Sequence, residues 1–334
     1  MADREIDDEQ DERGKSDDTE RQGEKRFDGG ASEGVVVTAR DQGRGFRASL
    51  RDRSPFAYFS RLNRYDLLAS VIYALALVFF VFPVFWIVSI SVRPEGALFT
   101  YPIELLPDEI TFAAYGRVFD AGMITWLSNS LVISITSVVG IVLVTTPAAY
   151  AFSRFRFQGR RPLLFAILLF QMISPIVTII PLYAIMAQLN LLESQVGIVL
   201  LYVGLQIPFS LWLLKGYFDT VPIELDRAAR IDGCNRFQTL RHVLLRPVAP
   251  GIAVIAIFNF VLTWSEFVMA YTVLGTETSL YTVSIGVYNF QGQYGSDWQA
   301  IAAASVVGMI PMVVLFIALQ RYFVSGLVRG GVKG

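Results

Sequence analysis

The sequence predicts an all-α membrane protein with six transmembrane helices. Of its 334 residues, 54% are hydrophobic and 17% are charged, whereas soluble domains carry about 25% charged residues. Six long apolar runs follow one another along the chain, and the basic residues are distributed very unevenly between them. Because backbone polar groups find no water partners in lipid, helices are the form expected for such runs.

The N-terminal segment has the opposite character. Residues 1–46 hold fourteen Asp/Glu and eight Lys/Arg with few large apolar side chains, so burial cannot offset the entropy of ordering them. We predict a disordered acidic cytoplasmic tail over 1–46. Residues 47–66 form a basic and aromatic juxtamembrane segment, which suits either the membrane surface or a plain basic flank of the first helix.

A transmembrane domain is predicted over residues 67–334. A bilayer core about 30 Å thick needs about 20 apolar residues in helical form, and each run reaches or nearly reaches that length. The six predicted spans are Leu67–Val92, Gly122–Phe152, Leu163–Leu189, Val196–Leu214, Gly251–Val273 and Ala300–Leu319.

The basic residues predict the orientation of these spans. If the N-terminus is inside, the cytoplasmic parts beyond residue 46 hold eighteen Lys/Arg, whereas the outer parts hold two, Arg93 and Arg117. Basic residues concentrate on the cytoplasmic side of membrane proteins. Both termini are therefore predicted to be cytoplasmic, in a multi-pass protein of the cell membrane.

The predicted cytoplasmic loop 217–247 contains the most informative stretch, 222–233. Pro222 at the first turn, Glu224 and Asp226 near the start, and Gly233 at the end predict a short helix. A second, basic helix over 236–245 is expected to end before Pro247. This loop suits a knob that docks into a cytoplasmic partner, or an amphipathic helix resting on the membrane surface. Four residues are expected to form one narrow face of the first helix: Leu225, Ala228, Ala229 and Asp232.

This stretch resembles the EAA loop of binding-protein-dependent ABC transporter permeases, whose pattern is E-L-x-E-A-A-x-x-D-G followed by a downstream proline. The chain departs from the pattern at Arg227, where the family usually has Glu. The matching residues are Glu224, Leu225, Ala228, Ala229, Asp232, Gly233, Pro247 and Pro250.

Other segments resemble the MalG-type permeases of carbohydrate importers. Trp264-Ser265-Glu266-Phe267 is similar to W-N-E-F, and the C-terminal 326–334 is similar to G-L-T-x-G-A-V-K-G. Further similar segments are Asn129-Ser130-Leu131, Pro181-Leu182-Tyr183 and the A-A-Y-A-F-S-R stretch at 148–154. The likeness runs from about residue 67 to the end of the chain.

The resemblance implies a type I ABC importer permease (MetI-like) architecture and a subunit of an ATP-driven importer for a sugar, a di- or oligosaccharide. It implies as partners ABC ATPase subunits that bind ATP and Mg, a second and different permease, and an extracytoplasmic substrate-binding protein that contacts loop 274–299. The residues implied in ATPase coupling are Glu224, Leu225, Arg227, Ala228, Ala229, Asp232 and Gly233.

No cofactor, metal site or enzymatic activity is expected on this chain. It lacks the G-x-x-x-x-G-K-[ST] phosphate loop, and its single cysteine, Cys234, and single histidine, His242, do not suggest a metal site. Nucleic acid is not an expected partner.

Polar and aromatic residues within the spans are the candidates for lining the transport path, because polar side chains in membrane helices usually face the bundle interior. Amides can instead bond to neighbouring helices and hold the bundle together. Glu266 is expected in the outer half of the fifth span, from where it can reach the outer interface or an aqueous vestibule. The path candidates are Asn129, Gln171, Tyr202, Gln206, Asn259, Trp264 and Glu266.

An ion-gradient-driven secondary transporter is the alternative class. Such a protein more often has charged residues near mid-membrane and an internal repeat. The mid-membrane polar residues of this chain are mostly neutral amides, which favours the importer permease.

Overall fold

The computed structural model describes residues 64–96, 105–275, 277–292 and 295–331. The chain divides into two units, Met1–Tyr73 and Ala74–Gly334. Only residues 64–73 of the first unit are described, and they are helical. The predicted tail over 1–46 and most of the juxtamembrane segment over 47–66 lie outside the described residues, so both stay predictions.

Helices make up most of the described chain. A 3-10 turn, Thr278–Leu280, precedes the next-to-last helix, and an antiparallel hairpin of β1 (Gln291–Gly292) and β2 (Gly295–Ser296) lies between the last two helices. In order, the helices are α1 (Arg64–Ser91), α2 (Ala113–Asp120), α3 (Met123–Arg154), α4 (Arg160–Gln171), α5 (Pro175–Gln188), α6 (Gln195–Thr220), α7 (Glu224–Ile231), α8 (Arg236–Ser265), α9 (Val268–Leu274), α10 (Val283–Tyr288) and α11 (Trp298–Gly331).

Five of these helices, within the described ranges, are long and apolar enough to cross a membrane: α1, α3, α6, α8 and α11. The pair α4 and α5 provides a sixth span if the two count as one. The predicted all-α membrane fold is therefore confirmed. Its six spans are correct in number if the bent pair is counted once.

The third predicted span, Leu163–Leu189, is not one straight helix. It is divided into α4 and α5, which meet at an angle of 99°. Pro175 is the first residue of α5, and Ser174 before it has an extended backbone with ψ of 132°. A proline disfavours helical geometry in the residue before it and fits well at the first position of a new helix. The break therefore follows from Pro175.

The fifth predicted span, Gly251–Val273, is also divided. Helix α8 ends at Ser265, Glu266 is extended with ψ of 129°, and α9 begins at Val268. The C-terminal part of the predicted span is thus a separate short helix.

The start of α8 corrects a further expectation, because the basic helix predicted over 236–245 does not end before Pro247. It continues into the span through a π-helical stretch, Thr239–Leu244. In a regular helix the Pro247 ring would meet the carbonyl four residues earlier, at Val243. Val243 lies inside the wider π-helical stretch, so the proline is accommodated without ending the helix.

The bundle is built around α3, α6, α8 and α11, with α6 packed along α3 and α8 against the other three. Glycines permit close approach at two of these contacts. A Cβ at Gly140 of α3 would lie 2.8 Å from Val203, and one at Gly251 of α8 would lie 2.4 Å from Tyr217. Small residues at helix contacts are typical of membrane bundles, in which packing holds helices together.

A layer of loops and short helices covers the N-terminal end of α3. Arg117 of α2 makes two bonds to Asp297, of 3.0 and 3.2 Å, and an ion pair of 2.7 Å with Glu95. Ser130 of α3 accepts a hydrogen bond of 2.8 Å from the amide of Val283. These contacts fix loop 274–299, which contains the 3-10 turn, α10 and the hairpin, against the bundle.

Candidate coupling segment and transport path

The helix α7 is well defined at both ends. Glu224 and Asp226 stand in its first turn, where carboxylates favour the positive end of the helix dipole. At the other end, the Cys234 amide donates to the Ala229 carbonyl and the Gly233 amide to the Arg230 carbonyl. Gly233 has a φ of 81°. This is a Schellman ending, in which a glycine takes the left-handed conformation, and Gly233 stops the helix as the sequence predicted.

A buried ion pair attaches α7 to the end of α3. Arg154 Nε lies 3.0 Å from Asp226 Oδ2, and the two side chains are 8% and 4% exposed. Arg154 also donates a hydrogen bond of 2.7 Å to the Val221 carbonyl, just before α7. Sequence reasoning included neither Arg154 nor Asp226 among the coupling residues, although both occur in the quoted motifs. Two features of the sequence could have suggested this pair. One is the departure from the resembled pattern at Arg227, next to Asp226, and the other is Arg154 as the last residue of α3.

The opposite side of α7 faces outward. Glu224, Leu225, Arg227 and Ala228 are exposed, as are Asp232 and Gly233 at the end of the helix. Ala229, in contrast, is only 3% exposed and turns toward the bundle together with Asp226. Ala229 therefore does not belong to the narrow outward face expected from the spacing, and its place there is corrected.

A second contact holds the start of α8. Asn235 and Gln238 form a capping box, in which each side chain accepts from the other residue's backbone amide. The guanidinium of Arg236 lies 4.5 Å from the centre of the Phe155 ring, just after α3. The coupling segment, residues 222–246, is thus anchored to α3 on both sides of Gly233.

The path candidate Asn129 is fully engaged within the protein. Its amide nitrogen donates to the carbonyls of Ser279 and Tyr281, at 2.8 and 3.0 Å, and its oxygen accepts from Gln195. Asn129 therefore joins α3 to the beginning of α6 and to the 3-10 turn.

Glu266 and Tyr202 are brought into contact. The Glu266 carboxylate accepts from the Tyr202 hydroxyl at 2.7 Å and from the amides of Met269 and Ala270 at 2.8 and 3.0 Å. It thus caps the N-terminus of α9 and links α6 to the break after α8. These three donors explain how the Glu266 carboxylate is accommodated within an apolar segment of the sequence.

Two further candidates, Gln206 and Asn259, form a polar line between α6 and α8. Asn259 donates to Ser210 at 2.8 Å, and Gln206 donates to Thr263 at 3.2 Å. The amide oxygens of Asn259 and Gln206 are buried and accept no hydrogen bond from the described residues.

Two candidates lie away from this line. Trp264 donates to the Gly308 carbonyl of α11 at 3.2 Å, whereas Gln171 is exposed at the end of α4. Substrate contact by any of the seven candidates stays a prediction.

An exposed aromatic cluster was missed by sequence reasoning. Phe267, Tyr271 and Tyr288 bring their ring centres to within 5.0–5.5 Å of one another beside the Glu266 break. Tyr271 and Tyr288 are about two-fifths exposed, at 43% and 42%. No sequence spacing joins α9 and α10, so this cluster becomes visible only in the fold.

The arrangement defines a class of protein. A bundle of membrane-crossing helices carries buried polar side chains between two of them, a covering of loops at one end and a projecting helix at the other. These are the features of a membrane transport subunit.

The comparisons name the family. Residues 145–329 match the family described as binding-protein-dependent transport system inner membrane component. The permease GanQ of a galactooligosaccharide transport system in Bacillus subtilis is 36% identical over 85% of this chain and 100% of its own. The maltose/maltodextrin permease MalG of Salmonella typhimurium is 34% identical over 76% of this chain and 90% of its own. The chain belongs to this family of ABC transporter permeases.

A solved structure is similar in fold. A chain of a bacterial ABC transporter involved in the import of the acidic polysaccharide alginate aligns with a TM-score of 0.67 and 24% identity. The alignment covers 78% of this chain and 99% of that one. The predicted ABC importer permease architecture and the resemblance to MalG-type permeases are both confirmed.

Proposed function

We propose that this chain forms part of the transmembrane path of an ATP-driven importer for a sugar, a di- or oligosaccharide. The substrate class is supported by the names of the relatives, which transport galactooligosaccharides and maltodextrins. The single observation that carries the coupling role is the geometry of α7. Its inner side is anchored by a buried ion pair and its outer side is free to meet a partner.

In this proposal, movement of the ATPase subunits displaces the coupling segment, and this displacement changes the arrangement of the helices in the bundle. ABC ATPase subunits bind ATP and Mg and contact Glu224, Leu225, Arg227, Ala228, Asp232 and Gly233. This chain contributes no ATPase site of its own. Because Asp226 and Arg154 form a buried ion pair inside the protein, displacement of α7 reaches α3 directly.

The opposite end of the bundle meets the substrate-binding protein. Loop 274–299 is the contact surface, with the hairpin and the exposed Tyr288 and Asn289 turned outward. Arg117 and Asn129 hold this loop against α2 and α3, so a docked protein would act on a fixed surface. A second, different permease completes the path. The excess of basic residues in the α7-side loops supports a cytoplasmic position for both termini.

Affinity purification of the tagged chain in mild detergent tests this function. An ATPase subunit and a second permease should co-purify. The ATPase activity of the complex should rise when a sugar-loaded binding protein is added. Recovery of the chain alone, with uptake that withstands ATP depletion but stops when the ion gradient is collapsed, would overturn the proposal.

A further inference from the structure

The surface exposed by the coupling segment is cationic. Its exposed basic residues outnumber its exposed acidic residues, which are Glu224 and Asp232. The third carboxylate, Asp226, is removed from this surface by its buried pair with Arg154. The exposed basic residues are Arg227, Arg230, Arg236, Arg241 and Arg246.

These cations are largely unused inside the protein. Arg236 lies over the Phe155 ring, whereas Arg227, Arg230 and Arg241 form no ion pair among the residues that the structure describes. Long cationic side chains that form no ion pair with the described residues remain available to an external anionic group. Charge on the rim of an interface mainly selects the partner and speeds its association.

Large apolar side chains accompany the charges. Ile231, at the end of α7, is 86% exposed, and Phe237, at the start of α8, is 68% exposed. Gly233 separates the two helices, so these side chains do not form the long apolar stripe with which a helix lies in a membrane surface. Apolar side chains in a polar rim indicate a protein contact.

We propose that the ATPase subunit covering this segment presents an acidic cleft with an apolar floor. Arg227 and Arg230 meet its carboxylates, and Ile231 and Phe237 meet its floor. This proposal rests on the proposed function, because it takes the partner to be an ATPase.

The charge of Arg227 also sets partner specificity. The EAA pattern that this loop resembles has Glu at this position. A cleft suited to that Glu would place an unmatched charge opposite Arg227, and such mismatches discriminate between partners. The chain is therefore expected to accept its own ATPase and to reject ATPases matched to a Glu.

The test measures binding of the ATPase subunit that co-purifies with the wild-type chain. Binding to the wild type should weaken between about 0.1 M and about 1 M salt, as the Debye length falls from about 10 to about 3 Å. Arg227→Glu should weaken binding about tenfold or more at low salt and remove much of the salt dependence. Arg227→Lys, which restores the charge, should recover most of the lost affinity.

Arg161→Glu provides the matched control, because it makes the same charge change on the exposed start of α4, outside the coupling segment. It should bind the ATPase as the wild type does. Equal binding by Arg227→Glu and the wild type, or wild-type binding that is insensitive to salt, would overturn the acidic cleft while leaving the proposed function intact. Failure of any ATPase to bind the wild-type chain would instead overturn the proposed function itself. The salt series needs no variant, so the result does not depend on whether Arg227→Glu folds.

Discussion

Asp226 is a carboxylate removed from water at the base of α7, with the Arg154 guanidinium 3.0 Å away. Loss of one member leaves the other as a buried, unpaired charge, which costs about 3–5 kcal/mol, whereas replacing both with apolar residues costs far less. The pair therefore couples two parts of the chain in a way that a surface ion pair cannot.

We expect Asp226→Asn to lower the midpoint of thermal unfolding and to expose α7 to protease, because Arg154 loses its counter-charge. The double variant Arg154→Met with Asp226→Leu should recover much of the loss. The exposed Glu224→Gln serves as the control and should change stability by less than about 0.5 kcal/mol. An unfolding midpoint of Asp226→Asn equal to that of the wild type would contradict the anchoring role.

Glycine is required at position 233 because of its backbone conformation and not because a larger side chain would clash with a neighbour. A Cβ there would meet no atom within 4 Å, yet the φ of 81° disfavours any other residue. Gly233→Ala should therefore destabilise the segment by about 1 kcal/mol. Gly216→Ala in α6 also meets nothing within 4 Å and should stabilise by about 0.5–1 kcal/mol. Thermal unfolding of the two variants checks this contrast, and shifts in the same direction would refute it.

At the scale of elements, the break between α8 and α9 depends on Glu266. Its carboxylate accepts from two α9 amides and from Tyr202. Glu266→Ala should cost about 1 kcal/mol of capping and speed hydrogen exchange at Met269 and Ala270 about fivefold. Tyr202→Phe leaves the two amide bonds in place, so exchange at these positions should change much less. Equal acceleration in both variants would show that Glu266 does not act as the cap.

The elements also show how far the sequence could predict the fold. Six apolar runs were recognisable because hydropathy is a local property of composition, and Gly233 was recognisable because few residues tolerate its conformation. The breaks at Ser174 and Glu266 were not predicted, since hydropathy does not record where a backbone leaves helical geometry. Pro175 was the visible cause of the first break. The second depends on a carboxylate that supplies acceptors in place of backbone carbonyls.

The candidate site shows even more clearly what the sequence alone could not predict. A polar residue within a span can be placed at a depth but not on a side, so Asn129 could not be assigned to the path or to packing. The Arg154–Asp226 pair and the Phe267–Tyr271–Tyr288 cluster join residues from different helices. Only the packed bundle brings them together. The roles of the coupling and path candidates in transport stay predictions.

At the scale of the whole molecule, the transport machinery is expected to lie entirely beyond the acidic tail. Deletion of residues 1–40 should leave membrane insertion, assembly and uptake within about twofold of the wild type, because a segment with so little apolar surface is not expected to form packed contacts. Uptake and co-purification of partners measure this together. Loss of assembly in the truncated chain would show that the tail is a structural part of the complex.

The uninterrupted course of α8 has a mechanical consequence. Its 30 residues run from Arg236 in the coupling segment to Ser265 beside the Glu266 cap, a length of about 45 Å at 1.5 Å per residue. A stiff rod of that length turns a tilt of about 5° at its base into a movement of about 4 Å at its tip. The π-helical stretch near the start of α8 is the part of the helix expected to bend first. The stiffness of this stretch therefore determines how much of a movement in the coupling segment is transmitted to the Glu266 end of α8.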